Sequence, residues 1–254
     1  MKLIINADDF GLTAKVNEAI VRCMRFGLVR STTIMMNQPG VEDAIDRYHN
    51  GQVPEIGLHL TLTAGKPLTN SSEIPDLVNS EGNFLSRSAL SKKKAIDKAQ
   101  ILRELTAQYQ AAISSGLKLN HLDSHHFATI YPNLKEAFIE FANQIGLPCR
   151  RVDVIEEGQQ NLVVNTPDEF DISFYGEGAT LDAFKSRLLE HKAKHPNGVV
   201  EFMCHPGLND DAILETLSSY NVERRDETDI LTSNQLKQWL IEQEIEVIGF
   251  DSLS

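Results

Sequence analysis

The ten residues KLIINADDFG at positions 2–11 join a short apolar run, rich in branched side chains, to two adjacent aspartates, Asp8 and Asp9. Such a run predicts a buried β-strand whose end carries the acidic pair. Residues 14–26 then show apolar side chains at helical spacing, and Gly27 ends that pattern. We therefore predict a strand, an acidic turn and an amphipathic helix.

The alternation of strand and helix continues along the chain. Further strands are predicted at residues 29–36, 55–62, 119–122, 149–154, 199–204 and 246–250, and further helices at residues 41–48, 95–113, 134–145, 181–195 and 233–243. Repeated strand–helix units of about 30 residues favour parallel strands with right-handed crossovers. We expect an α/β fold, a distorted (β/α) TIM-like barrel of about seven parallel strands, as a single domain over residues 1–254. An open doubly wound sheet is the alternative.

Two long segments, residues 63–93 and 156–179, lack a regular pattern. Structureless stretches of this length in a compact domain are commonly functional loops or lids. Tolerated insertions without a function are the other interpretation.

Composition excludes several classes of protein. The 254 residues include 24 Lys and Arg against 36 Asp and Glu, a formal net charge of −12. So acidic a chain is unsuited to nucleic acid or to an anionic membrane surface. Neither a signal peptide nor an apolar run of about 20 residues is visible. Three dispersed cysteines exclude a disulfide framework. We expect a cytoplasmic protein without nucleic-acid or membrane partners, and a homodimer is left open.

Aspartate and histidine follow several of the predicted strands. Parallel strands present ligand sites at their carboxyl ends, and those ends carry Asp8 and Asp9, then His59, the segment 121–126 and His205. Taken singly, Asp9 fits a helix cap, His59 a buried core histidine and His205 a turn residue. Together they form an Asp/His/His set, which suits a divalent ion such as Zn, Mn, Fe or Co.

This residue set predicts metal-dependent hydrolysis. A bound ion would supply a water nucleophile and polarise an acyl oxygen. A carboxylate outside the metal shell would accept the proton of the water, and a histidine would protonate the departing amine. Serine-hydrolase, nucleotide-hydrolase and dinucleotide-binding motifs are missing from the sequence.

Four motifs in chain order resemble the YdjC-like carbohydrate deacetylases, whose best-known members act on chitin disaccharide. They are Asn6-Ala7-Asp8-Asp9-Phe10-Gly11, Gly57-Leu58-His59-Leu60, His121-Leu122-Asp123-Ser124-His125-His126 and Met203-Cys204-His205-Pro206-Gly207. Three further stretches also match: Lys66-Pro67-Leu68, Phe174-Tyr175-Gly176-Glu177 and Asp229-Ile230-Leu231-Thr232-Ser233. The resemblance runs from the first predicted strand to near the last.

The resemblance implies removal of the N-acetyl group from N-acetylglucosamine units of short chitin oligosaccharides such as diacetylchitobiose. It implies one divalent ion, magnesium in much of the family, with Asp9, His59 and His125 as ligands. By similarity to polysaccharide deacetylases with paired aspartates, Asp8 is the general base and His205 the general acid. We expect His205 on the side of the metal opposite the base, donating as an imidazolium near neutral pH.

Substrate contacts are predicted for Tyr175, Arg151 and His126. Arg150 and Arg151 could meet the phosphate of a phosphorylated sugar, or form a salt bridge on the barrel rim. The rival functions are a deacetylase of another acetylated sugar, a metal-dependent phosphoesterase or sugar isomerase, and a non-catalytic sugar-binding barrel.

Overall fold

A computed structural model describes residues 1–151 and 162–253. Its strands are β1 (Lys2–Phe10), β2 (Ser31–Ile34), β3 (Ile56–Leu60), β4 (Leu119–Ser124), β5 (Glu169–Asp171), β6 (Val199–Cys204) and β7 (Glu246–Ile248). Its helices are α1 (Ala14–Phe26), α2 (Val41–His49), α3 (Arg87–Lys92), α4 (Lys98–Ser114), α5 (Lys135–Ile145), α6 (Leu181–Lys194), α7 (Ala212–Leu217), α8 (Glu223–Thr232) and α9 (Asn234–Glu242).

The strands form one sheet in the order β4-β3-β2-β1-β6-β5, and β7 pairs with β1. Each of these pairings is parallel. The sheet curls into an incomplete barrel with helices around it, which confirms the predicted α/β fold class with its seven parallel strands. The extent of the domain, residues 1–254, stays a prediction.

The interior of the barrel is more polar than that of an ordinary (β/α) barrel, where layers of branched apolar residues dominate. Alternate residues of β1 face opposite sides of the sheet, so that Ile4 packs with Ile248 and Phe250 at one end of the interior. Two residues further along β1, the Asn6 side chain lies close to the buried His121 ring, with Oδ1 3.2 Å from Nε2. This polar interior leads directly to the strand ends that carry the candidate site.

Gly57 in β3 makes room for that histidine. A Cβ atom at position 57 would lie 2.4 Å from two atoms of the His121 ring, closer than van der Waals contact allows. Glycine at this position therefore lets an imidazole fill the interior beside β3.

The structure differs from the predicted elements in the short and polar segments. Strand β5, within the segment expected to be a loop, has only three residues, and helices α3, α7 and α8 were not predicted. Helix α8 is rich in charged residues, so the sequence lacks the apolar spacing that would predict its buried face. The predicted strand at 149–154 falls partly outside the described residues, although Cys149 forms a parallel bridge with Leu122. No helix within residues 1–151 or 162–253 is long and apolar enough to cross a lipid bilayer.

Candidate active site

The predicted Asp and His residues meet around one cavity. Asp8 and Asp9 near the end of β1, His59 in β3, His125 after β4 and His205 after β6 all line a cavity of about 690 Å³. They come together because parallel strands end at the same side of the barrel. The cavity is within the size range of small-molecule sites.

Asp9 occupies a strained position that no ordinary strand residue adopts. Its φ is +68°, in the left-handed region, and its side chain is buried. It does not cap α1, because Thr13 Oγ1 accepts the hydrogen bond from the Val16 N–H at 3.1 Å. The helix-cap interpretation of Asp9 is therefore wrong, and its carboxylate is directed to other partners.

Those partners divide between the two oxygens of the Asp9 carboxylate. Oδ2 accepts a hydrogen bond from Arg224 Nη2 at 2.7 Å. Oδ1 lies 3.0 Å from His125 Nδ1 and 3.4 Å from His59 Nε2, yet it accepts no hydrogen bond from any described residue. One ligand atom from each of these three residues lies within 4.8 Å of the others. A buried carboxylate oxygen that faces the ring nitrogens of two imidazoles is a suitable place for a divalent cation.

His59 is oriented by a carboxylate on its other ring nitrogen. Its Nδ1 lies 2.7 Å from Asp123 Oδ1, which leaves Nε2 on the side of Asp9. Burial alone would lower the pKa of His59, but the carboxylates of Asp123, Asp9 and Asp8 outweigh it and raise that pKa to about 10. A histidine held by a carboxylate in this way is the usual arrangement of a metal ligand.

Asp8 is held by a buried arginine. Arg150 Nη1 and Nη2 donate to its two oxygens at 2.8 and 2.7 Å, and Asn6 Nδ2 donates at 2.9 Å. Burial raises the pKa of Asp8, but Arg150 more than compensates and holds that pKa well below its ordinary value. Asp8 is therefore ionised at neutral pH.

Arg150 also bridges two further carboxylates, Asp123 at 3.0 Å and Glu201 at 2.8 Å. It is only 2% exposed. The salt-bridge interpretation of Arg150 thus holds, although the bridge lies inside the barrel and not on its rim. The guanidinium donors are occupied by these partners, so of the two alternatives for Arg150 the structure supports the salt bridge over contact with a substrate phosphate.

His205 lies beside Asp8, not across the site from it. Its Nε2 is 4.0 Å from Asp8 Oδ2, because β1 and β6 are neighbouring strands with Ala7 opposite Cys204. Our expectation that His205 faces the metal from the side opposite the base is therefore wrong. Burial lowers the pKa of His205 to about 4, so the resting imidazole is neutral at pH 7 and not the imidazolium that we expected.

The three predicted substrate contacts occupy different places. Tyr175 and His126 line the cavity. His126 Nδ1 lies 3.0 Å from Thr63 Oγ1, and burial lowers the pKa of this histidine to about 3. Arg151 is not among the residues that line the cavity; its guanidinium donates to the Asp168 carbonyl. All three roles stay predictions.

Sequence reasoning missed Arg224 and Glu227, two buried charged residues of α8. Arg224 binds Asp9 across 215 residues of sequence. Glu227 accepts hydrogen bonds from the His205 backbone N–H and the Tyr220 hydroxyl, both at 2.5 Å. The spacing of Arg224, Glu227, Thr228 and Leu231 on one buried helical face was the signal available, but three of the four are polar.

Comparisons with known proteins point to one family. The family model described as YdjC-like protein matches residues 2–242. The chain is 37% identical over 255 residues to a carbohydrate deacetylase of Brevibacillus brevis, and 37% identical over 256 residues to carbohydrate deacetylase 1 of Listeria innocua, with 100% of both chains covered in each case.

Solved structures show the same fold. A protein of Enterococcus faecalis V583, described as a "putative cellobiose-phosphate cleavage protein", superposes with a TM-score of 0.91 at 32% identity, over 100% of this chain and 98% of that one. A lactam utilization protein of Thermus thermophilus has a TM-score of 0.52 at 17% identity, over 97% of this chain and 99% of that one, and shares the fold. The match of the family model over nearly the whole chain, together with the full-length relatives, shows that this chain belongs to the YdjC-like family of carbohydrate deacetylases.

Proposed function

We propose that this carbohydrate deacetylase hydrolyses the N-acetyl group of an N-acetylglucosamine unit in a short chitin oligosaccharide, such as diacetylchitobiose, and releases acetate. The observation that carries the proposal is the buried Asp9 Oδ1, which lies 3.4 Å from His59 Nε2 and 3.0 Å from His125 Nδ1 in the wall of a cavity of about 690 Å³. Asp8 and His205 stand next to it with an anionic and a neutral side chain at pH 7.

Asp9, His59 and His125 would hold one divalent ion. A set of two imidazoles and one carboxylate suits Zn, Mn, Fe or Co, whereas the family resemblance implies Mg. A divalent ion bound there supplies a Lewis acid that polarises the acyl oxygen and makes water more acidic. Arg224 fixes the other oxygen of Asp9, so that Oδ1 alone faces the ligand position.

Asp8 and His205 would transfer the proton of the attacking water to the departing amine. Asp8, kept ionised by Arg150, would accept the proton of the attacking water; its Oδ2 lies 4.0 Å from His205 Nε2, so the proton would reach the imidazole through one intervening water. Once protonated, a histidine whose pKa is about 4 is a stronger acid than an ordinary imidazolium, which suits protonation of a departing amine nitrogen. His205 thus gains its proton during the reaction and donates it in the same turnover.

The geometry argues against two of the rival enzyme classes. Phosphoesterases and isomerases with two metals need two adjacent clusters with room for cations, and the second cluster here is already occupied by the guanidinium of Arg150. A deacetylase of another acetylated sugar and a non-catalytic sugar-binding barrel remain the alternatives that an assay must separate.

The test is acetate release from diacetylchitobiose by the purified protein, with and without a chelator, followed by re-addition of Mg²⁺, Mn²⁺, Co²⁺ or Zn²⁺. We expect acetate and free amine in equal amounts, loss of turnover on chelation and recovery with one of the ions. A panel of other N- and O-acetylated sugars is the matched control. Faster release from a different sugar would replace the chitin substrate, and binding without release from any of them would favour the non-catalytic barrel.

A cytoplasmic location and a homodimeric assembly stay predictions from the sequence.

A further inference from the structure

One wall of the cavity is a stacked pair of tyrosines. The rings of Tyr175 and Tyr220 are 4.1 Å apart between centroids and only 14° from parallel. Tyr220 covers one face of Tyr175, while 46% of Tyr175 is exposed in the cavity. Both rings meet the His205 imidazole edge-on, at 5.4 and 5.7 Å. A flat aromatic surface thus stands next to the imidazole that would serve as the acid.

This surface is fixed in place by buried hydrogen bonds. The Tyr220 hydroxyl donates to Glu227 Oε1 at 2.5 Å and accepts from the Gly176 N–H at 3.0 Å. The other oxygen of Glu227 accepts from the His205 N–H at 2.5 Å. A single buried carboxylate therefore ties the tyrosine pair and His205 to the same helix, so that the distance between ring and imidazole is set before any ligand arrives.

The surroundings of Tyr175 extend the apolar surface. Leu217 and Ile172 also line the cavity and are 42% and 45% exposed. Large exposed apolar side chains grouped at a cavity mark a binding surface more often than chance. None of Asp8, Asp9, His59 or His125 needs this wall for the chemistry of the acetyl group.

We propose that the exposed face of Tyr175 is the subsite for the second pyranose ring of the substrate, the sugar unit next to the one that loses its acetyl group. Pyranose rings present flat faces of C–H groups, which pack on the face of an aromatic ring and remove apolar area from water. Because the Tyr175 and His205 ring centroids are 5.4 Å apart, a sugar ring packed on Tyr175 would lie next to the unit whose amide nitrogen His205 would protonate. This subsite rests on the proposed function, because it presumes an oligosaccharide substrate.

Replacement of the ring tests the subsite. For Tyr175→Ala on diacetylchitobiose we expect KM to rise about tenfold while kcat stays within about twofold, as for the loss of binding shared by ground and transition states. Tyr175→Phe is the matched control, since it keeps the flat ring and removes only the hydroxyl, and its KM should stay within about twofold of wild type. Tyr175→Leu, which is apolar without a flat ring, should lie between them.

Three results would overturn the subsite. A fall in kcat at unchanged KM would mean that Tyr175 acts on His205. A loss in Tyr175→Phe equal to that in Tyr175→Ala would mean that the hydroxyl binds the substrate. Unchanged constants in both Tyr175→Ala and Tyr175→Leu would mean that the sugar lies elsewhere. Acetate release by the wild type is judged separately: if wild type releases none from diacetylchitobiose, the proposed function fails and the subsite for that sugar falls with it.

Discussion

Two clusters of residues with metal-ligand side chains share His59, and they differ in whether an arginine already neutralises their carboxylates. In one, Asp9, His59 and His125 bring ligand atoms within 4.8 Å of one another; in the other, Asp8, His59 and Asp123 do the same. By residue type alone either could hold a cation. The second cluster already contains a positive charge, the guanidinium of Arg150, which donates to both of its carboxylates.

The first cluster opens on the cavity, and its buried Asp9 Oδ1 contacts only the two imidazoles of His59 and His125 among the described residues. Its arginine, Arg224, binds only the opposite oxygen, Oδ2. The difference shows how the position of one guanidinium distinguishes two similar acidic groups: the second cluster is an ion pair, and the first is left as the candidate metal site. Substitutions in each cluster, and a change of pH, should therefore have different effects on metal binding and on turnover.

The largest effect should come from the first cluster itself. His125→Ala should strip the ion and reduce turnover to background, because a ligand is lost. Elemental analysis after desalting measures the ion. His126→Ala, the adjacent cavity residue outside the cluster, is the control and should keep its metal. Wild-type metal content in His125→Ala would remove His125 from the ligand set.

Asp8→Asn tests the second cluster. We expect the metal to stay bound and kcat to fall 10²–10⁴-fold, as for the loss of a general base. Asp9→Asn, its neighbour, should weaken binding of the metal instead. If the ion is lost from the Asp8 variant and kept by the Asp9 variant, the roles of the two aspartates are the reverse of those proposed.

His205→Ala should discriminate between amides and esters. Expulsion of an amine needs a proton, whereas a good alcohol leaving group hardly does, so we expect kcat/KM to fall 10²-fold or more on an N-acetyl sugar and less than about tenfold on an activated O-acetyl ester. The two substrates are measured with the same preparation. Equal losses on both would assign His205 to binding.

Asp123→Asn, a change in the second cluster, should weaken metal binding by the first cluster, because Asp123 orients the shared His59. Asp123 Oδ1 holds His59 Nδ1 at 2.7 Å, and loss of such an orienting carboxylate typically lowers metal affinity 10–100-fold. Titration with Mn²⁺ under competition from a chelator measures the affinity. Thr33→Val, which removes another hydroxyl contact to Asp123, is a milder comparison. Wild-type affinity in Asp123→Asn would mean that His59 is oriented by packing alone.

The last effect concerns the pH dependence of metal affinity. The pKa of about 10 means that His59 in the metal-free protein is protonated at pH 7, so an ion must displace its proton from Nε2. Affinity should therefore rise with pH, by about tenfold per unit between pH 7 and 9 from this group alone, and fall as pH decreases. Calorimetry in two buffers of different ionisation enthalpy should count about one proton released. Zero protons would contradict the raised pKa.

The sequence predicted the sheet because its strands are apolar and its longer helices periodic. Helix α1 begins and ends where the spacing of its apolar residues indicated, at Ala14 and Phe26. Strand β5 escaped detection because three residues, Glu169–Asp171, are too few to show a period of two. Helix α8 was not predicted, because its buried face carries mostly charged and polar residues instead of apolar ones.

The residues that meet at the candidate site were predictable from the sequence, but their charge balance was not. Asp9, His59 and His125 belong to motifs at strand ends, which local sequence reveals. The arginines that pair with Asp8 and with Asp9 lie 142 and 215 positions further along the chain, respectively. Nothing in the local pattern of Arg150 or Arg224 marks either as buried, because long-range pairing in three dimensions decides which charges neutralise one another.

The central place of β1 in the sheet has a consequence for the order of events during synthesis. Lys2 at its start pairs with Val199 of β6 and Glu246 of β7. At the usual rate of about 5–20 residues per second, roughly 10–50 s separate the translation of β1 from that of β7. For more than half of that time Arg150, the partner of Asp8, has not been translated, and Arg224, the partner of Asp9, follows later still. The sheet and the acidic centre are thus completed late in translation, and a ribosome stalled before Arg224 would carry a chain without β7 and without the arginine that pairs with Asp9.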